Sequence, residues 1–188
     1  TWLKTNTKKI SIEFKKILRW WPGKDGIPSI NNPKFLSIEK AEEEMSFLED
    51  KSNWISVEID WKAKFYPYGI LVWHEIVNDE LLWKKIAVTF CPLCWSAIVY
   101  DRIINWEEVL FWVSGLLYNS NLLMYDNKTE SLWSQSLWKA VVWSYLSTEL
   151  EYIKSNLMTY KEYKNNYSDW LVLSNDTWFN RNYWYVPY

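Results

Sequence analysis

The sequence predicts an α+β domain built mainly from an antiparallel β-sheet or a distorted barrel, with two or three peripheral helices. Short runs rich in β-branched residues recur along the chain at short spacing, with turn-forming residues between them. Two segments carry a clear helical pattern. The length of 188 residues fits one domain with a sizeable core, and no internal repeat divides it.

Two helices are predicted from their capping residues and apolar spacing. The first begins at Ser37, a favoured N-cap residue, and runs to about Glu49. The second begins at Thr159 and runs to about Tyr167, and Thr159 with Glu162 has the spacing of a capping box. The apolar stripe of the first helix consists of Ile38, Ala41, Met45 and Leu48.

The strands are predicted from alternation and from β-branched content. Residues 54–66 form a hairpin pattern, and residues 70–77 are apolar and ambiguous between a strand and a short helix. Residues 85–90 form a strand that runs directly into Cys91. The remaining predicted strands are 97–102 with 109–113 as its hairpin partner, 122–125 with 131–133, 140–142, and 171–173.

The chain ends and the overall charge limit the classes of function. Residues 1–22 are Lys-rich and weakly patterned, so we interpret them as a tail or lead-in to a single domain over 23–188. The net charge of −2 argues against a nucleic-acid partner. No apolar run is long enough to predict a transmembrane segment. Because the chain begins at Thr1, an upstream signal for export or envelope association stays open and the compartment is unknown.

Tryptophan and glycine contents are abnormal. The chain has 16 Trp and only 4 Gly, whereas average Gly usage of roughly 7% would give about 13. The Asp60-Trp61 and Asn105-Trp106 pairs stand in apparent two-residue hairpin turns, where Asp-Gly or Asn-Gly is preferred. We therefore hypothesise that the gene uses UGA for glycine and was translated with UGA as Trp. The alternative is a genuinely Trp-rich protein that binds sugars by aromatic stacking.

Several blocks, in order, resemble one bacterial family. With Trp95 taken as Gly, residues 91–96 resemble the Cys-Pro-Leu-Cys-Gly-Ser signature of the domain-of-unknown-function 3179 family. The resemblance covers about 23–188, and its departures are mainly Trp for Gly. It implies a fold but supplies no established activity. The other similar blocks are Trp73-His74-Glu75, Phe111-Trp112-Val113-Ser114-Gly115, Met124-Tyr125-Asp126, Thr129-Glu130-Ser131-Leu132-Trp133-Ser134-Gln135, and Arg181-Asn182-Tyr183.

Cys91, Cys94 and His74 are the first candidates for chemistry. The chain has only these two cysteines and this one histidine. Two thiolates and one imidazole would give three protein ligands and an open position, a pattern typical of catalytic zinc, and copper or iron would also accept the set. We therefore predict a transition-metal site. Glu75, Asp79 and Asp126 are candidates for a fourth ligand.

Two other functions compete with metal binding. A Cys-x-x-Cys pair is also typical of thiol–disulfide oxidoreductases, although here a strand, and not a helix, is predicted to follow it. Alternatively, the cysteines and the histidine are structural, and the chain is a non-catalytic binding or structural domain at the cell envelope. The partner, whether a small molecule or a metal, is unknown. Candidate pocket residues, which could instead be structural, are Glu75, Arg102, Ser114, Asp126 and Gln135.

Overall fold

The computed structural model describes residues 4–166 and 170–187. Strands dominate these ranges, and the helices are short. The helices are α1 (Ile38–Glu44), α2 (Tyr68–His74) and α3 (Tyr160–Asn166), with a short 3-10 helix over Phe14–Lys16. The strands are β1 (Ile17–Arg19), β2 (Ile30–Asn31), β3 (Phe35–Ser37), β4 (Asn53–Ile59), β5 (Lys62–Pro67), β6 (Ile76–Leu81), β7 (Lys84–Cys91), β8 (Ser96–Asp101), β9 (Ile103–Ile104), β10 (Glu107–Glu108), β11 (Phe111–Tyr118), β12 (Asn121–Asp126), β13 (Leu132–Ser134), β14 (Lys139–Val142), β15 (Ser155–Thr159) and β16 (Leu171–Leu173).

The strands form three larger sheets and one small ladder. Sheet 1 has the order β1-β11-β12-β13-β14, sheet 2 has β15-β4-β5-β16-β3, and sheet 3 has β2-β6-β7-β8. Strands β9 and β10 pair only with each other. All pairs are antiparallel except β16 with β5 and β2 with β6. The predicted α+β class is therefore confirmed, and the described strands form open sheets, not a closed barrel.

Sheet 3 is the central layer, because its two faces pack into different cores. Along β7, Val88 and Phe90 belong to the core that sheet 2 and the helices share. The alternate residues Ala87 and Cys91 belong to the core that is shared with sheet 1. Side chains on a strand point alternately to opposite faces, so this pattern follows directly from the extended backbone. It directs the Cys91 side chain toward sheet 1.

The predicted helix starts are confirmed. The Ser37 hydroxyl accepts a hydrogen bond from the Lys40 amide at 3.3 Å. Thr159 and Glu162 form the reciprocal capping box, in which the Thr159 hydroxyl accepts from the Glu162 amide and the Glu162 carboxylate accepts from the Thr159 amide. The predicted end of the second helix at Tyr167 lies outside the described residues.

The ambiguous segment 70–77 contains both kinds of structure. Helix α2 ends at His74, Glu75 takes a positive φ of 57°, and β6 begins at Ile76. Ile70, Leu71 and Val72 of the helix are buried, and so is the start of the strand. Both parts of the segment are therefore apolar. Apolar runs of this length do not distinguish a helix from a strand by periodicity.

The predicted pairing of 97–102 with 109–113 is wrong. Strand β8 pairs with β7, and β11 pairs with β12 and β1. The Asn105-Trp106 turn has positive φ at both residues, 49° and 68°, but it joins only β9 and β10. After β10 the chain crosses from sheet 3 to sheet 1. In sheet 1, β11 is buried along most of its length, and it pairs with β1 on one edge and with β12 on the other.

The segment that we interpreted as a tail or lead-in contributes to sheet 1. Strand β1 pairs with residues 116–118 of β11, and Ile10 forms an isolated bridge with Val142. Ile10, Ile12 and Ile17 pack against a third apolar cluster, whose members come from sheet 1: Leu116, Leu123, Tyr125, Leu132, Val141 and Val142. Within the described ranges, no helix combines the length and apolar character needed to cross a membrane.

Trp106→Gly should raise the free energy of unfolding by about 1 kcal/mol, because a side chain in the left-handed region is strained and glycine is not. The Trp106 side chain is 98% exposed, so little burial is lost. The matched control is Trp61→Gly, an exposed turn tryptophan whose φ is not positive. This control should lower stability by about 0.5–1 kcal/mol. Urea unfolding of both variants measures the difference, and equal effects would contradict the strain argument.

Candidate functional site

The Cys-x-x-Cys pair lies in the turn between two central strands. Cys91 is the last residue of β7, and it pairs with Ser96, the first residue of β8. Pro92 fixes one backbone angle of the turn, and Trp95 closes it with a positive φ of 53°. Because the strands on both sides are anchored in the sheet, the positions of both sulfur atoms are set by a short, constrained loop.

The two cysteines differ in burial although only two residues separate them. The Cys91 side chain is 1% exposed, whereas Cys94 lies at the surface. Both are free thiols; Cys94 Sγ donates to the Cys91 carbonyl at 4.0 Å, and Cys91 Sγ donates to the Ser120 carbonyl at 3.9 Å. In this arrangement an external reactant can reach the Cys94 thiol but not the Cys91 thiol.

Two polar side chains contact the Cys94 sulfur. The Asn121 amide donates to Cys94 Sγ at 3.2 Å, and Ser96 Oγ lies 3.1 Å from the same atom. Asn121 begins β12 of sheet 1, while Ser96 belongs to sheet 3. The contacts to this sulfur therefore come from two different sheets.

Gln135 holds these two contacts in place. Its Oε1 accepts hydrogen bonds from Ser96 Oγ and Asn121 Nδ2, both at 2.8 Å. Its Nε2 donates to Thr89 Oγ1 at 3.0 Å and to the Ser96 carbonyl at 3.2 Å. The side chain is fully buried, and both ends of its amide are satisfied. Gln135, predicted as a candidate pocket residue, thus adjoins the thiol site.

The environments of the two thiols separate their pKa values. Burial by itself raises the pKa of Cys94, but hydrogen bonds with Ser96, Asn121 and Cys91 stabilise the thiolate more strongly, so the net pKa is lowered. Burial, assisted by the hydrogen bond with Cys94, raises the pKa of Cys91 to about 12. Cys94 is consequently the stronger nucleophile near neutral pH, because the thiolate is the reactive form.

A small cavity of about 10 Å³ lies behind the turn. Glu75, Cys91 and Pro92 line it, together with apolar side chains from β11 and β12. Glu75 is 5% exposed and lies between α2 and β6. The candidate pocket residue Glu75 therefore shares a buried space with the buried thiol.

His74 is fully buried and bonds elsewhere through both ring nitrogens. Nδ1 lies 2.7 Å from the Pro28 carbonyl, and Nε2 lies 2.8 Å from the Tyr183 hydroxyl. The carbonyl can only accept, so Nδ1 carries the proton and Nε2 accepts from Tyr183. Thr177 hydrogen-bonds to the same hydroxyl. The histidine thus joins the C-terminal segment to the rest of the domain.

The described residues contain no group of three or more His, Cys, Asp or Glu side chains that could hold a metal ion. In particular, His74, Cys91 and Cys94 do not form the predicted three-ligand set. The two nitrogen atoms of His74 are engaged by protein groups, and Asp79, one candidate fourth ligand, accepts from Lys64 at 2.8 Å. Metal binding at this site stays a prediction that the arrangement of these side chains does not favour.

Arg102 and Ser114 lie within the framework and satisfy buried backbone groups. Arg102 donates to the carbonyls of Asp79, Ile86 and Val109, and it pairs with Glu108 at 2.7 Å. Ser114 sits at an irregularity of β11, where its hydroxyl donates to the Leu123 carbonyl. A Cβ at the following residue, Gly115, would lie 2.2 Å from the carbonyl carbon of Gly23, so a glycine is required there.

Asp126 organises the turn between β12 and β13. Its fully buried carboxylate accepts from the amides of Thr129 and Ser131 at 2.6 and 3.1 Å and from the Trp133 indole at 2.9 Å. These donors satisfy the carboxylate and fix the turn. These contacts agree with the structural alternative that the sequence left open for Asp126.

Sequence reasoning missed Ser96 and Asn121 as contacts of the thiol. Ser96 belongs to the Cys-Pro-Leu-Cys block, so its place next to the motif was a usable signal. Asn121 lies 27 residues from Cys94 and precedes an apolar strand. No local pattern separates such an asparagine from an ordinary turn residue.

The fold and the site together define a β-rich α+β domain with a Cys-x-x-Cys turn between two antiparallel strands. The family model described as "Protein of unknown function (DUF3179)" matches residues 24–188, and the chain belongs to this family. No curated protein and no solved structure matched the chain. The predicted membership of this family is thereby confirmed.

The pKa of His74 should lie near 4, below its usual value of about 6.5, because burial disfavours the imidazolium and nearby Arg181 adds repulsion. The unfolded chain therefore takes up the proton first, and stability falls as the pH drops from about 6.5 toward 4. Between pH 7 and pH 4.5 this one group should remove about 2–3 kcal/mol.

The chain has one histidine, so its proton NMR signal is unambiguous and a pH titration measures the pKa directly. His74→Gln is the control for stability, since it should lack this part of the acid-induced loss. A midpoint near 6.5 in the folded protein would contradict the buried, neutral assignment.

Proposed function

We propose that this domain carries out thiol–disulfide exchange, with Cys94 as the attacking thiolate and Cys91 as the thiol that completes the exchange. The observation that carries the proposal is the asymmetry of the pair. Cys94 is accessible and its thiolate accepts hydrogen bonds, whereas Cys91 is buried and stays protonated. Exchange needs one thiolate that meets the substrate and one thiol protected until a mixed disulfide forms.

The polar network around Cys94 can adjust to the charge of the thiolate. With a neutral thiol, the single Ser96 proton is directed to Gln135 Oε1. When Cys94 loses its proton, the Ser96 hydroxyl can rotate and donate to the sulfur. Gln135 Oε1 still accepts from Asn121. The network therefore supplies two donors to the thiolate without leaving the buried amide oxygen unpaired.

Ser96 and Asn121 take the role that a helix N-terminus has in thioredoxin-like proteins, where the helix dipole lowers the pKa of the exposed cysteine. Here strands lie on both sides of the motif, so the motif does not begin a helix. Function is set by the arrangement of groups at a site and not by the fold that carries it. The absence of βαβ units around this motif is therefore compatible with redox chemistry.

Rate of alkylation against pH tests the first half of the proposal. In a Cys91→Ser background, Cys94 should react with iodoacetamide with an apparent pKa below about 8.5, the usual value for a free cysteine. Asn121→Ala should raise that pKa, by about 1 unit, because one hydrogen bond to the thiolate is lost. Asn119→Gly, which removes a neighbouring exposed amide and keeps a turn-compatible residue, is the matched control.

The same protein preparations test the competing functions. Equilibration with glutathione redox buffers should convert Cys91 and Cys94 into an intramolecular disulfide, which peptide mass analysis detects. A stoichiometric zinc, copper or iron content that disappears in Cys94→Ser would favour the metal site instead. An ordinary Cys94 pKa together with no disulfide at any glutathione ratio would leave a binding or structural domain.

We also propose that the tryptophans with positive φ occupy glycine positions of the natural protein, because UGA codes for glycine in its gene. A bulky side chain in this backbone region is an outlier, and most of these side chains are exposed. Two of the four glycines in the chain share the same backbone region. The tryptophans concerned are Trp95, Trp106, Trp138, Trp143 and Trp178.

Mass analysis of peptides from the protein isolated from its natural source should give glycine at these five positions and tryptophan at Trp73 and Trp133. These two lie in blocks that resemble those of the family, and neither has a positive φ. The gene should carry UGA at the first set and UGG at the second. UGG codons at the positive-φ positions would refute the recoding.

A further inference from the structure

Thiol–disulfide exchange at this site meets an obstacle at its second step. Cys91 must attack Cys94 once Cys94 carries the substrate, and only the thiolate attacks. Burial raises the pKa of Cys91 to about 12. At neutral pH the free thiolate is then scarce, so the step requires a group that removes the proton while the new bond forms.

Glu75 is the ionisable side chain placed to do this. Of the described residues that line the cavity behind the turn, Glu75 and Cys91 are the two with ionisable side chains, and the rest are apolar, aromatic, glycine or proline. Glu75 is 5% exposed, so its side chain is largely shielded from bulk solvent. A volume of about 10 Å³ is at the lower limit for one water molecule, which allows direct or single-water transfer.

The backbone fixes Glu75 at this position. It follows the last residue of α2 with φ 57° and ψ −33°, a backbone conformation that residues other than glycine rarely adopt. Its amide donates to the Leu71 carbonyl at 2.7 Å, and its carbonyl accepts from the Phe90 amide at 2.7 Å. Phe90 directly precedes Cys91, so the two backbones are joined next to the cavity.

The titratable side chains of His74 and Asp79, which flank Glu75 in α2 and β6, contact groups outside this cavity. His74 bonds to Pro28 and Tyr183 through its two ring nitrogens and is neutral. Asp79 pairs with Lys64. On the β11 side, the residues that line the cavity are apolar. Among the described residues that line the cavity, Glu75 is the one that carries a carboxylate.

We propose that Glu75 is the general base that accepts the Cys91 proton when Cys91 attacks Cys94. This inference rests on the proposed thiol–disulfide exchange. First, the Cys94 thiolate attacks a substrate disulfide, a Cys94–substrate disulfide forms, and one substrate thiolate leaves. Then the Cys91 proton passes to Glu75, the Cys91–Cys94 bond forms, and the second substrate thiolate leaves with the proton that Glu75 returns. The substrate gains two electrons, and the cysteine pair loses two.

Stopped-flow reaction with dithiobis(nitrobenzoate), an aromatic disulfide that releases a coloured thiolate, separates the two steps. The first release reports attack by Cys94, and the second reports attack by Cys91 on the mixed disulfide. Glu75→Gln should leave the first release unchanged and slow the second on the order of 100-fold at pH 7. Raising the pH should restore the variant's second step, since hydroxide then removes the proton.

Two further variants make the result decisive. Glu80→Gln removes an exposed carboxylate from β6, the strand that directly follows Glu75, and should leave both releases unchanged. Glu75→Asp keeps a carboxylate in the cavity and should retain more of the second release than Glu75→Gln, and it serves if the Gln variant does not fold.

The failures of the two proposals are distinguishable. No first release from the wild type would refute exchange at Cys94 itself. A normal first release with an unchanged second release in Glu75→Gln, or equal slowing by Gln and Asp, would overturn the role of Glu75 as a base and leave the exchange proposal intact.

Discussion

The thiol site depends on one buried amide that connects two sheets. Gln135 follows β13 of sheet 1, and its side chain bonds to Thr89 and Ser96 of sheet 3. The same side chain holds Asn121, which contacts the Cys94 sulfur. A buried amide in an apolar core is costly unless all its groups are paired, so this network tolerates only a narrow range of sheet positions. The geometry around the sulfur is thereby fixed by the packing of the whole domain.

Different burial on the two sides of a single turn separates the chemistry of identical side chains. Strand alternation directs Cys91 into the core between sheets 3 and 1, whereas the turn places Cys94 at the surface. Desolvation then keeps the first thiol protonated, and hydrogen bonds stabilise the second as a thiolate. Glu75 adds a third environment, a carboxyl group enclosed beside the protonated thiol. These three ionisable side chains thus lie in different surroundings.

The sequence predicted those elements whose signals are local. The caps at Ser37 and Thr159, the hairpin of β4 and β5, and the pair β12–β13 follow from residues a few positions apart. The partner of β8 was predicted wrongly, because a turn signal at Asn105 shows that the chain reverses but not which strands are joined. Strand pairing between sheets is decided by which faces become buried together.

For the site, the sequence by itself determined that the two cysteines lie between the end of one strand and the start of the next, and that the chain resembles one family. Those conclusions depend on adjacent residues and on ordered motifs. Only the tertiary structure decided that His74 bonds to Pro28 and Tyr183, and that Asn121 and Gln135 reach the thiol turn instead. These contacts join residues dozens of positions apart, and the physical reason is that they form only when separate sheets bury their faces against each other.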